Sequence, residues 1–196
     1  MELVTPSAAA ELIRQGLVVA YPTETVYGLG ADPFSEAAIE RLFTIKVRDR
    51  GKPVLLVVAN EEQLGGVVAE ISPGARACME AFWPGPLSLI FPKAAAIPDS
   101  LTAGSDRICV RCTSSPLARE LCLAFGGAIT SSSANLSGEP PASSLDDIHL
   151  PGVAAAVDGG ALPPASPSTV FDPDNRHILR PGAISEEKIA AILRHV

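Results

Sequence analysis

Aromatic side chains are scarce in this chain, only 5% of 196 residues. Its hydrophobic content of 47% must therefore build a core from Ala, Val, Leu and Ile. No apolar run reaches the roughly 18 residues of a membrane span, and the start, MELVTPSAAAEL, lacks the charged-then-apolar order of a signal peptide. A soluble, cytoplasmic protein without a membrane partner is expected. Four cysteines are too few for a disulfide framework in a chain this long. Cys109 and Cys112 spell C-x-x-C, but in the alternating stretch RICVRC they fall on opposite faces of a strand, and no second pair completes a zinc site. Positive charge is also lacking: the net charge is −7 and the isoelectric point about 4.9. That argues against a general nucleic-acid surface, which needs clustered Lys and Arg. The histidines, His149, His177 and His195, lie apart, and no convincing Ser–His–Asp or Cys–His set is present.

The stretch YPTETVYGLG, Tyr21 to Gly30, organises the rest. Apolar Leu17 to Ala20 run into it as a buried strand, and Pro22, with no N–H to donate, is expected to end ladder pairing there. Thr23, Glu24, Thr25 and Tyr27 then supply polar groups at a strand's C-terminal end, where ligands sit in open α/β sheets. A second polar strand end follows Ala128 to Thr130: SSSANLSG offers Ser131, Ser133 and Asn135 to a ribose or phosphate.

Helix signals recur between these stretches. Thr5-Pro6, Ser35, Ser72-Pro73, Ser114 or Ser115 before Pro116, and Ser185 each place a capping hydroxyl ahead of an apolar helical repeat. Asn60 is expected to cap a short helix through Leu64, and the last helix carries Arg194 and His195 in its final turn. Strands are expected at Val54 to Ala59, Leu87 to Phe91, Arg107 to Arg111, Val153 to Val157, around Thr169 to Phe171, and up to Arg180. The helix from Glu36 ends in KVRDRGK, where Lys46, Arg48, Arg50 and Lys52 exceed what a helix C-terminus needs and suit a polyphosphate. On the strand RICVR, Arg107, Cys109 and Arg111 share one face, a candidate pocket wall. Strands alternating irregularly with helices, and no linker or repeat, imply one α/β domain over 1–196 with a twisted mixed sheet flanked by helices.

Taken together, YPTETVYGLGAD, Lys46-Val47-Arg48, FWPGPLSLIF, Val110-Arg111, SANLSG, DGG, STVFD and LRPGAIS resemble the YrdC-like threonylcarbamoyl-AMP synthases over nearly the whole chain, in the short, single-domain branch. The resemblance implies a concave basic cleft and a reaction of L-threonine, bicarbonate and ATP to threonylcarbamoyl-AMP and pyrophosphate, supplying N6-threonylcarbamoyladenosine in tRNA. By motif position it implies threonine ligands Thr25, Arg111 and Ser131. It implies nucleotide ligands Lys46, Arg48, Lys52, Ser133, Asn135 and Arg180, with Lys46 and Arg48 catalytic through the phosphates. Mg2+ is expected with ATP, with unknown protein ligands; downstream threonylcarbamoyl-transferase proteins, and tRNA itself, are implied partners. Three positions depart from the family pattern: Asp49 replaces a frequent proline, Arg107 a small hydroxyl residue, and Pro141 a hydroxyl donor. An RNA-binding module, or a carbamoyl-transfer paralogue with another acceptor, are the alternatives.

Overall fold

The computed structural model describes residues 1–194. In chain order its elements are β1 (Glu2–Leu3), α1 (Pro6–Arg14), β2 (Val19–Pro22), β3 (Tyr27–Gly30), α2 (Glu36–Lys46) and β4 (Leu55–Val58). Then come α3 (Pro73–Phe82), β5 (Leu87–Pro92), α4 (Asp99–Thr102), β6 (Arg107–Cys112), α5 (Pro116–Phe125) and β7 (Ile129–Ser133). The chain continues with β8 (Ala155–Ala156), β9 (Thr169–Asp172), β10 (His177–Arg180) and α6 (Glu186–Leu193). The strands form one ten-stranded mixed sheet in the order β1-β8-β2-β3-β7-β4-β6-β5-β9-β10.

Period-two alternation sends neighbouring residues to opposite faces. Val19, Tyr21, Val57 and Ala59 pack with α1 and α5 on one side. Val18, Ala20, Leu56 and Val58 join the larger core on the other, with residues of α2, α3 and α6. The helix starts follow the expected chemistry: Thr5, Ser35, Ser72 and Ser115 accept from the backbone N–H groups of Ala8, Ala38, Ala75 and Ala118. Each satisfies a donor the helix itself leaves free.

Several expectations are corrected. Strand β2 and its ladder do end at Pro22, which stands opposite Tyr27 in the last pair, but YPTETVYGLG is not a simple strand end: it is a β-hairpin whose second limb is β3. Two glycines make β3 unlike a strand in sequence, but the Tyr21 ring needs their lack of side chains. A Cβ on Gly30 would stand 3.1 Å from Tyr21 Cε1, and one on Gly28 would stand 3.4 Å from Tyr21 Cζ. The Asn60-capped segment is a 3-10 helix over Glu61–Gly66, β8 is shorter than Val153 to Val157, and α4 forms in a segment expected to be a loop. Helix α6 stops at Leu193 with no basic residue in its last turn; Arg194 is its C-cap, and His195 lies outside the described residues.

Candidate functional site

The two polar motifs become neighbours because β3 pairs antiparallel with β7, with Gly28 opposite Ser133 and Leu29 opposite Ser132. β4 then pairs with β7 on its other side and with β6 in parallel, Val57 opposite Arg111. At this junction the sheet opens into a cleft of about 430 Å3. Thr25 of the hairpin turn, Arg48 after α2, Arg111 and Cys109 of β6, Ser131 and Ser133 of β7, and Ser168 and Arg180 beside β9 and β10 all line it.

Thr25 and Arg111 meet across the cleft floor. Arg111 is 4% exposed, and its Nη1 reaches Thr25 Oγ1 at 3.5 Å. Thr25 is oriented from behind, its Oγ1 lying 3.0 Å from Thr23 Oγ1, which donates to the Val26 carbonyl. Glu24 Oε1 lies 3.3 Å from Arg111 Nε, angled so that neither atom makes a hydrogen bond, while Glu24 Oε2 accepts from the Thr113 hydroxyl. Tyr27, the other unassigned member of the motif, holds the DGG loop: its hydroxyl donates to the Gly160 carbonyl and accepts from the Gly159 N–H, both at 2.9 Å.

Lys46 sits differently from a phosphate ligand on a surface loop. It is 2% exposed, and its Nζ donates to the carbonyls of Ser133 and Asn135. Burial, with Arg48 close by, pushes its pKa down to about 8. A helix C-terminus thus reaches under β7 and fixes the SSSAN turn. Arg48 does face the cleft, oriented by donation from Nη2 to the Pro53 carbonyl at 2.9 Å and from Nε to the Lys52 carbonyl at 3.3 Å. Arg180 donates to the carbonyl of Ser168 at 2.8 Å and to its hydroxyl at 2.9 Å. Burial lowers the pKa of both arginines from its ordinary value, yet leaves guanidinium groups that stay charged at neutral pH.

Of the nine candidate ligands, Thr25, Arg48, Arg111, Ser131, Ser133 and Arg180 line the cleft, whereas Lys46, Lys52 and Asn135 do not. Asn135 turns its amide nitrogen to the carbonyls of Leu136 and Glu139. Arg107 lies outside the cleft despite sharing a strand face with Arg111: it pairs with Asp172 at 3.1 Å and Asp174 at 2.7 Å and ties β6 to the β9–β10 hairpin. Ser168 was not singled out by sequence; its only signal was the STVFD motif around it. Cys109 lines the cleft with its thiol pushed up to about 12 by burial. Pro141 lines it too, presenting a ring where a hydroxyl was expected in relatives.

No carboxylate lines the cleft, and no cluster of three or more His, Cys, Asp or Glu that could hold a metal exists among the described residues. The hydroxyl oxygens of the lining, without a carboxylate beside them, do not fit a resident Mg2+ centre, which takes one or two carboxylates besides substrate phosphates. No helix among the described residues is long and apolar enough to cross a membrane.

These features define a class: mixed α/β proteins with a strand-end cleft lined by arginine and hydroxyl groups. The Sua5/YciO/YrdC family model, described as telomere recombination, matches residues 11–182. A threonylcarbamoyl-AMP synthase of Methylococcus capsulatus is 46% identical over 136 residues, 68% of this chain and 72% of that protein. The synthase of Chromohalobacter salexigens is 40% identical over 88% of this chain and 94% of its own length. Among solved structures, Pyrococcus abyssi Sua5 complexed with L-threonine superposes with a TM-score of 0.91 at 35% identity, covering 97% of this chain. The chain spans 58% of the length of that archaeal protein. Escherichia coli YciO superposes with a TM-score of 0.82 at 26% identity, covering 94% of this chain and 92% of its own. The chain belongs to the Sua5/YciO/YrdC family.

Proposed function

We infer that this chain is a threonylcarbamoyl-AMP synthase, transferring AMP from ATP to N-carboxy-L-threonine. The observation that carries the inference is the pairing of Arg111 with Thr25 on one wall of a cleft whose other cationic groups are Arg48 and Arg180. An arginine fork binds an amino acid carboxylate through two parallel hydrogen bonds, and Thr25 and Ser131 supply hydroxyls beside it. Arg48 and Arg180 take the phosphates of ATP, with Ser133 near them. Lys46, Asn135 and Lys52 support this end from outside the cleft lining, Lys46 by fixing the turn that presents Ser133.

The threonine amine combines with bicarbonate to give the carbamate and water. A carbamate oxygen then attacks the α-phosphorus of ATP, forming the new P–O bond as the bond to pyrophosphate breaks. No protein nucleophile enters, so the cleft contributes by holding both reactants in line and by neutralising charge that builds on the phosphates. Mg2+ enters as part of the ATP substrate. The product is an activated carbamoyl group for transfer to tRNA adenosine by downstream proteins.

Pyrophosphate release with ATP, bicarbonate and L-threonine tests the assignment. Release should require all three; a rate unchanged when threonine is omitted would remove it.

A further inference from the structure

Three arginines line the cleft, and they differ in what surrounds them. Arg48 donates to two backbone carbonyls, and its chain neighbour Asp49 accepts from the Gly51 N–H at 2.9 Å, its charge acting on Arg48 without direct pairing. Arg180 donates to the carbonyl and hydroxyl of Ser168. Neither forms an ion pair among the described residues, whereas Arg111 has Glu24 at 3.3 Å. Glu24 is not part of the cleft lining, so a ligand on Arg111 does not touch it. It is nonetheless fixed there: Thr113, fully buried, donates its hydroxyl to Glu24 and its backbone N–H to the Val58 carbonyl.

Attraction between charges scales with their product, so a polyphosphate gains most from an uncompensated cation. A bidentate hydrogen-bonded fork keeps its directional preference for a planar carboxylate even when its net charge is offset. We propose that Glu24 sorts the anions entering the cleft. It makes Arg111 a nearly neutral fork suited to the monoanionic carboxylate of an amino acid. Arg48 and Arg180, with no carboxylate paired to them among the described residues, keep more of their charge to draw polyphosphate. Glu24 acts through Arg111 as a specificity-determining residue, a role that rests on the synthase reading above. Without it, the phosphate chain of ATP would compete for the amino acid's own site.

Inorganic tripolyphosphate is the probe, added to steady-state assays of threonine-dependent ATP consumption. In the unaltered protein it should raise the KM for ATP and leave the KM for threonine unchanged. In Glu24→Gln the same tripolyphosphate concentration should raise the KM for threonine at least fivefold, and Thr113→Val, which frees the carboxylate, should move it the same way by less. Should Glu24→Gln fail to fold by circular dichroism, Thr113→Val decides alone. A threonine KM that is equally insensitive in the variants, or already sensitive in the unaltered protein, overturns the proposal. An unaltered protein that consumes no ATP with threonine and bicarbonate instead overturns the synthase reading, which separates the two failures.

Discussion

Lys46 Nζ lies 2.7 Å from the carbonyl oxygen of Asn135, so the last residue of α2 holds the backbone turn after β7 from beneath. With the bond from the same Nζ to the Ser133 carbonyl, this contact joins the basic cluster to the SAN turn. It also gives a surface-looking lysine an interior address.

The first prediction follows from that address. With a pKa of about 8 in the folded chain against 10.5 for a free lysine, Lys46 loses its third proton early, and two N–H groups remain for the two carbonyls. Between those values the unfolded chain binds more protons than the folded one, so stability should rise as pH goes from about 8 to 10.5. Activity should fall over the start of the same interval, because a neutral amine donates more weakly to the Ser133 and Asn135 carbonyls and loosens the turn that presents Ser133. Urea midpoints and rates measured across this range, with Lys46→Arg as the variant lacking both effects, check the opposed signs. Lys46→Ala should cut turnover at least tenfold, about 1.4 kcal/mol of transition-state stabilisation.

Arg111→Lys and Arg48→Ala should separate the two substrates. A lysine ammonium cannot reproduce a bidentate fork, so Arg111→Lys should raise the KM for threonine about tenfold or more and leave that for ATP nearly unchanged. Arg48→Ala should do the reverse. Steady-state kinetics with each substrate varied in turn gives the answer, and equal effects on both KM values would contradict the separate subsites.

Gly182 should tolerate no side chain. A Cβ there would stand 2.3 Å from the Pro167 carbonyl oxygen and 2.6 Å from Thr169 N, both backbone atoms. Gly182→Ala must therefore push the LRPG turn away from the segment carrying Ser168. A loss of about 1–3 kcal/mol is expected, the range for overpacking, measured as a lower urea midpoint. Activity should fall with it, since Arg180 is oriented by Ser168.

Tyr27→Phe should loosen the DGG loop without disturbing the core ring. Removing the hydroxyl leaves the Gly159 N–H and the Gly160 carbonyl without their partner. Both glycines are exposed, so water replaces part of the loss, and the expected cost is about 0.5–1.5 kcal/mol, visible in denaturant unfolding and in faster amide exchange at Gly159.

The sequence displayed its helix starts openly, because capping is local: Thr5, Ser35, Ser72 and Ser115 each act on a backbone group three residues ahead. It displayed β5 and β6 nearly as well, since alternation is also local. It concealed β3, because Gly28 and Gly30 are chosen by the Tyr21 ring on the neighbouring strand rather than by strand propensity. The site was legible as residue types but not as partners. Nothing near Glu24 in the chain foretells Arg111, and nothing near Arg180 foretells Ser168 as its anchor. Arg107 and Arg111 share a strand face, yet only a sheet with β9 and β10 at its edge tells the bridging arginine from the ligand. Lys46 misled for the same reason: its burial depends on β7, which lies far along the chain.

The strand order places the cleft at a junction supplied by β3, β7, β4, β6 and the late β9–β10 hairpin. No subset of neighbouring elements contains it, so the chain cannot gain catalytic ability piecemeal. Loop closure between such distant segments must come before any substrate contact, and topologies of this kind fold slowly. Recovery of turnover after dilution from urea should therefore trail the return of helical signal, which makes enzymatic activity a clock for the last docking step.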